Sequence, residues 1–161
     1  MIAYDEYERL IVERLSRDGI DVSPLPLIRD LNTPRVVTKP RIYVIFSESS
    51  FDDTSHLGEF AQDESLSFEV YIQALTRDGK NGIFAIAEEA MQKLLKWRFP
   101  DATQRITLAS FGYAPPKPDA PVQNNWQYML KFSFPRLHMK PEEEPDPIRI
   151  KKITHILEPE T

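Results

Sequence analysis

The chain contains no cysteine among its 161 residues. This absence excludes a disulfide framework, thiolate catalysis and a cysteine-ligated metal site. The chain also has no apolar run near the roughly 18 residues that cross a bilayer. Its N-terminus has neither the basic start nor the continuous apolar core of a signal peptide. We therefore expect a cytoplasmic protein with no membrane partner.

Basic residues are fewer than acidic residues in this chain. The chain carries 20 lysines and arginines against 25 acidic residues, for a formal net charge of −5, and its pI is about 5.3. A duplex-binding protein normally presents a broad basic surface, so we do not expect duplex nucleic acid as the main partner. Length and a hydrophobic content of 41% fit one globular domain with its own core.

Catalytic motifs are missing as well. The five glycines form neither a phosphate loop nor a dinucleotide fingerprint, and the three histidines lack the spacing of a zinc helix. We therefore predict no enzyme activity and no cofactor. One alternative stays open, a small metal-dependent enzyme that uses the polar segment from Asp52 to Glu64. Its carboxylates and one imidazole are ligands that suit a hard or borderline cation. They are Asp52, Asp53, His56, Glu59, Asp63 and Glu64.

Hydrophobic periodicity supplies the positive evidence. Apolar residues at helical spacing predict helices over 3–17 and 83–97, and alternating patterns predict strands over 41–48, 65–74, 105–112 and 125–134. Four prolines between 21 and 40 indicate an irregular or edge-strand segment. This order predicts an α+β fold, a two-layer sandwich with an antiparallel or mixed sheet of four to five strands and two helices. Residues 1–138 would form the domain, and 139–161 a charged, proline-rich tail that includes a short strand-like stretch.

The strand over 65–74 has two distinct faces. Its first face is fully apolar and consists of Leu66, Phe68, Val70, Ile72 and Ala74. The opposite side of the predicted sheet is a second face, to which this strand and its neighbours contribute. It consists of Tyr43, Ile45, Glu69, Tyr71, Gln73, Gln127, Met129 and Lys131. Water could cover this second face, or another subunit could, since tyrosine and methionine are enriched at protein interfaces. The candidate interface residues are Tyr43, Glu69, Tyr71, Gln73, Gln127 and Met129, together with Asp52, Asp53, His56 and Glu59 of the polar segment.

The order of elements resembles that of small tail proteins of long-tailed bacteriophages, which include the tail terminators and a Mu-like family of similar length. An N-terminal helix precedes a proline-broken segment and the strand RIYVIFSE. The stretch SFEVYIQALTRDGKNGIFAIAEEAMQKLLKW then gives a strand, a turn and a helix, and RITLASFGYAP and NWQYMLKFSF form a closing pair. The resemblance covers residues 1 to about 138 and leaves out the charged tail.

The resemblance implies a structural virion protein, assembled in the host cytoplasm. Such a protein would form a ring, usually hexameric, that caps the tail tube and joins it to the neck and, in contractile tails, to the sheath. DNA would pass through the ring without sequence-specific binding. A neck, completion or baseplate position in the same particle is the first alternative. A monomeric module that captures a peptide on a sheet edge is another.

Overall fold

A computed structural model of the chain describes residues 1–25, 38–52, 61–115 and 124–139. The helices are α1, Tyr4–Leu15, and α2, Ile83–Leu95. The strands are β1, Asp21–Pro24; β2, Arg41–Phe51; β3, Ala61–Ala74; β4, Thr107–Tyr113; and β5, Trp126–Met139.

The five strands form one mixed sheet in the order β1-β2-β3-β5-β4. β1 runs parallel to β2, whereas the pairs β2–β3, β3–β5 and β4–β5 are antiparallel. The two long strands β3 and β5 lie at the centre and pair along their whole length, from Ala61 opposite Met139 to Ala74 opposite Trp126. The predicted α+β fold with two helices and a mixed sheet is confirmed.

The hydrophobic core lies between the first face of the sheet and both helices. All five apolar residues of the first face on β3 are fully buried, as strict alternation predicts for a strand with one covered side. Tyr7, Ile11 and Leu15 of α1 join the same core, as do five residues of α2, which are Ile83, Ile86, Ala87, Ala90 and Leu94. The sheet therefore has a helix layer on one side, which leaves the second face without a cover among the described helices.

Aromatic rings fill the middle of this core. Phe68 stacks on Phe132 and Phe134 at centroid distances of 5.6 and 5.7 Å, and Tyr7 meets Phe134 edge-on at 5.2 Å. The predicted apolar face of β5 is thus confirmed for the residues from Tyr128 to Phe134. Trp126, at the start of the strand, is 39% exposed instead.

Several element boundaries differ from the predictions. The polar loop predicted over 49–65 is shorter, because β2 continues to Phe51 and β3 already begins at Ala61, with Ser49 opposite Leu66. Helix α1 ends at Leu15, two residues earlier than predicted. β5 extends five residues beyond its predicted end, to Met139. Met139, the first residue of the tail predicted over 139–161, is the last residue of β5, and the rest of that tail lies outside the described residues.

Within the described part of the chain, neither helix combines the length and the apolar character that a membrane crossing requires.

Candidate functional site

The second face of the sheet is organised in rows that cross the strands. Tyr43 of β2 lies opposite Tyr71 of β3, and Tyr71 lies opposite Met129 of β5. Two residues further along β3, on the same face, Gln73 lies opposite Gln127. The predicted second-face candidates therefore converge on one surface, although they come from three separate strands.

Side chains within this face bond to one another. The Tyr71 hydroxyl donates to Oε2 of Glu69 at 2.8 Å, and Nε2 of Gln73 donates to Oε1 of Gln127 at 2.7 Å. Burial and the bond to Glu69 raise the pKa of Tyr71 to about 12, so its hydroxyl keeps its proton at neutral pH. Gln73 and Tyr43 are only 7% and 8% exposed, whereas Tyr71, Glu69 and the other candidates are half-buried. The result is a polar and aromatic surface that is already ordered in a single copy.

The candidates from the polar segment do not form one site among the described residues. Asp52 follows directly after β2 and is exposed, and Asp63 is an exposed residue of β3. Asp53, His56 and Glu59 lie outside the described residues. Where the structure describes the chain, no group of three or more histidine, aspartate or glutamate side chains is placed to hold a metal.

The interpretation of residues 52–64 as a solvated acidic loop is wrong for Glu64. It is a strand residue, in phase with Leu66 and Phe68, and its side chain is fully buried. Three donors bind its carboxylate. Nε of Arg136 donates to Oε2 at 2.7 Å, while the hydroxyls of Tyr4 and Ser49 donate to Oε1 at 2.6 and 2.5 Å. His138 Nδ1 lies 3.1 Å from Oε2 as well. Three donors and the His138 ring therefore surround this buried carboxylate.

Arg136 is the centre of this cluster and is only 2% exposed. Its Nη1 donates to the main-chain oxygen of Ile2 at 2.6 Å and to the Tyr7 hydroxyl at 3.2 Å. Asp101 Oδ2 lies 3.6 Å from the same nitrogen and also accepts from the Ile2 amide at 3.2 Å. The Tyr7 hydroxyl donates to the other oxygen of Asp101. The guanidinium thus ties the N-terminal segment to the ends of β3 and β5.

The pKa of Glu64 reflects these contacts. Burial alone would raise it, but the hydrogen bonds from Arg136, Ser49 and Tyr4 outweigh burial and lower the pKa from 4.5 to about 2. Burial would lower the pKa of Arg136, and the bonds to Glu64 and Tyr7 raise it on balance. Burial and the bond to Asp101 raise the pKa of Tyr7. Both members of the ion pair are therefore charged at neutral pH, and the cluster is suited to holding the fold together.

Sequence reasoning missed this cluster, although a signal for it exists. Glu64 continues the alternation of the apolar first face on β3, and Arg136 continues the alternation of Phe132 and Phe134 on β5. A charged residue in the apolar phase of a strand is rarely left buried without a partner. Two such residues of opposite charge on neighbouring strands therefore indicate a buried ion pair.

The family model described as "Gp37 protein" matches residues 18–156. The chain belongs to the Gp37 protein family. Membership supports a bacteriophage-type, virion-associated protein, and this part of the resemblance is confirmed. The match also extends beyond Met139, so the Gp37 pattern includes most of the tail that the resemblance left out. No curated protein matches the chain with significant sequence similarity.

Proposed function

We propose that this chain is a tail terminator, a structural subunit that closes into a ring on the end of a bacteriophage tail tube and links the tube to the neck. Membership in the Gp37 family supports a phage particle as its location. The observation that carries the subunit role is the second face. It presents tyrosines, amides and a methionine in rows across three strands, and both described helices pack on the opposite side.

The chemistry of the second face favours a protein partner. Tyr71 and Met129 supply apolar area, while the Gln73–Gln127 and Tyr71–Glu69 bonds fix the polar groups before contact. Preorganised side chains lose less conformational entropy on association than mobile ones do. Lys131 of this face lies 3.8 Å from Glu48, and Arg41 lies opposite Gln73 at the end of the face. A partner therefore meets a surface whose central polar groups are already ordered.

A hexameric ring is the assembly that this proposal assigns to the chain, with the tail tube, the neck and, in a contractile tail, the sheath as neighbours. The net charge of −5 suits a ring through which DNA passes, because a negative lumen discourages DNA from sticking. A neck, completion or baseplate position would use the same face against a different neighbour. The metal-enzyme alternative is weakened, because Glu64 is engaged by Arg136, Tyr4 and Ser49.

The substitution Tyr71→Glu tests the proposal. It puts a carboxylate beside Glu69 in the middle of the second face, where association would have to desolvate both charges. We expect loss of the oligomer in light scattering after size exclusion, with an unchanged circular dichroism spectrum. Tyr71→Phe removes only the hydroxyl and should still assemble.

Gln92→Glu is the matched control, because it adds the same charge at an exposed position of α2 and should assemble like the wild-type chain. Normal assembly of Tyr71→Glu would exclude the second face as the subunit interface.

A further inference from the structure

The two edges of the sheet are protected very differently. β1 has only four residues and contains Asp21 and Pro24. Short length, charge and proline are the means by which proteins prevent an edge strand from pairing with another chain. β4 forms the opposite edge with seven residues, TLASFGY, which include no charge and no proline. Its one irregularity is a register shift between Leu108 and Ser110. β4 is therefore the edge that is able to accept a further strand.

Main-chain groups of β4 are directed toward that outer edge. The Ala114 amide donates to the Gln127 oxygen at 3.0 Å and so points toward β5. Because the main-chain groups of an antiparallel strand alternate in direction, those of Tyr113 and Phe111 point away from β5. Among the described residues, no strand pairs with this side of β4.

An exposed aromatic group lies at the end of the same strand. Phe84, Tyr113 and Trp126 are 37%, 55% and 39% exposed. Phe84 and Tyr113 contact the ring of Tyr128 at centroid distances of 5.6 and 5.7 Å, and Trp126 lies 5.9 Å from Tyr113. The Arg77 guanidinium stacks on Trp126 at 4.7 Å. We call these three exposed rings the aromatic corner. Clustered exposed apolar groups of this kind mark interaction sites.

We propose that β4 pairs with residues 148–157 of a neighbouring copy of this chain, which add an antiparallel strand to the sheet and place apolar side chains on the aromatic corner. This inference rests on the proposed function, since it supplies a second contact between ring subunits. The segment reads IRIKKITHIL, rich in β-branched residues and free of acidic ones, which suits strand addition. The family match reaches residue 156, so the segment is part of the family pattern.

We assign the added strand the antiparallel direction, because antiparallel pairing is slightly more stable per residue than parallel pairing. Glu142, Glu143 and Glu144 precede the segment in sequence. An antiparallel strand would bring them to the Tyr113 end of β4, where Arg77 lies on Trp126. A parallel strand would bring them to the other end, where exposed Arg105 precedes β4. An arginine therefore stands near either end of β4, and charge does not select the direction.

Chain length then assigns the strand to a neighbour. Tyr113 pairs with Tyr128, eleven residues before the end of β5 at Met139, a distance of about 37 Å along the strand. The connecting residues 140–147, KPEEEPDP, contain three prolines, and eight residues of an extended proline-rich spacer cover about 25 Å. A copy's own tail therefore falls short of the Tyr113 end of its own β4, whereas the tail of an adjacent subunit has no such limit.

The absence of cysteine allows a direct test by disulfide cross-linking. One full-length chain carries Ser110→Cys on β4, and each of five others carries a single cysteine at one position from 149 to 153. Wild-type mass is measured in parallel by light scattering. We expect mixed oxidised samples to shift from monomer to covalent dimer at alternate tail positions. Asp21→Cys on β1, the matched control at the other edge, should form no such dimer. A chain with both Ser110→Cys and a tail cysteine should give a ladder of multimers.

Each other outcome overturns the inference. If the wild-type chain assembles but Ser110→Cys joins no tail position, or joins them no better than Asp21→Cys does, the tail is not the strand on β4 and the proposed function stands. Ser110→Cys chains that join only each other would assign the edge to a second β4. A purely intrachain product from the double variant would assign it to the chain's own tail. A wild-type chain that stays monomeric at every concentration and does not bind the tail-tube protein would overturn both the proposed ring and the strand addition.

Discussion

Replacement of Glu64 by glutamine is the sharpest test of the buried cluster. Glutamine keeps the size of the side chain but removes the negative charge that Arg136 faces at 2.7 Å. Arg136 is 2% exposed and its partner is fully buried, so the variant would leave a guanidinium in the protein interior without its closest counter-ion. Asp101 Oδ2 remains 3.6 Å from Nη1 of Arg136 and offsets part of the loss.

Two independent arguments give the size of the effect. Removal of one partner of a buried ion pair typically costs roughly 3–5 kcal/mol. The lowering of the Glu64 pKa from 4.5 to about 2 corresponds to about 3 kcal/mol, since one pKa unit is worth about 1.4 kcal/mol. With Asp101 still in place, we expect the lower value, about 3 kcal/mol at pH 7. For a chain of this size that is a fall in Tm of about 6–12 °C.

The dependence on pH gives this prediction its specificity. Because the folded-state pKa of Glu64 lies below its ordinary value, its contribution to stability is complete above about pH 4.5 and is lost as the pH falls toward 2. Protonated Glu64 then resembles the glutamine. We therefore expect the difference in unfolding free energy between wild type and Glu64→Gln to shrink across this range. Urea unfolding, followed by tryptophan fluorescence at pH 7, 4 and 2.5 and at one fixed protein concentration, measures it.

Asp63→Asn is the matched control, since Asp63 is the exposed carboxylate next to Glu64 on β3. Exposed substitutions usually change stability by less than about 0.5 kcal/mol. A loss below about 1 kcal/mol for Glu64→Gln, or an equal loss at pH 7 and pH 2.5, would refute the account of the cluster.

Two further predictions concern single groups. Tyr7→Phe removes the hydroxyl that donates to Asp101 and accepts from Arg136, and it should cost about 1–3 kcal/mol in the same urea assay. No measurable loss would show that the hydroxyl bonds add nothing net. Gly82→Ala would place a Cβ 2.3 Å from the Asp78 main-chain oxygen, whereas Gly112→Ala meets nothing within 4 Å. We expect the first to cost about 1–3 kcal/mol through crowding and the second to leave the melting temperature nearly unchanged. Equal melting temperatures for the two glycine variants would contradict this reasoning.

The elements with strict local patterns were predictable from the sequence. The alternation from Leu66 to Ala74 identified a strand with one buried face because a strand has a period of two residues, and every apolar residue of that face is fully buried. The helical stripe from Ile83 to Leu94 likewise identified α2 and the face that it buries. Both patterns are local, so they do not depend on which partner the element finds.

Features that depend on long-range pairing were not predictable in the same way. The parallel pairing of β1 with β2 brings Asp21 opposite Arg41, across a proline-broken segment that has no strand period. The buried pair joins Glu64 to Arg136, 72 positions apart, and neither residue type indicates burial by itself. The polar residues near Phe51 and Ala61 predict a loop, but β2 pairs with β3 as far as Phe51 opposite Glu64, and β3 pairs with β5 from Ala61 opposite Met139.

The second face falls between these two cases. Alternation placed Glu69, Tyr71 and Gln73 on one side of β3, and the register of the sheet brings Tyr43 and Met129 into the same row as Tyr71. The side-chain bonds within the face were not predictable, because Gln73 and Gln127 meet only once β3 and β5 are aligned. In the proposed ring, the partner that covers this face belongs to another chain, so the pattern of this sequence does not identify it.

The solution mass of the wild-type chain across a concentration series, measured by light scattering after size exclusion and repeated with the tail-tube protein of the same phage, tests the central claim most directly. The proposed tail terminator predicts a discrete ring-sized species, of hexamer mass, in the free protein or on the tube. A chain that remains monomeric at every concentration and does not bind the tube would contradict it.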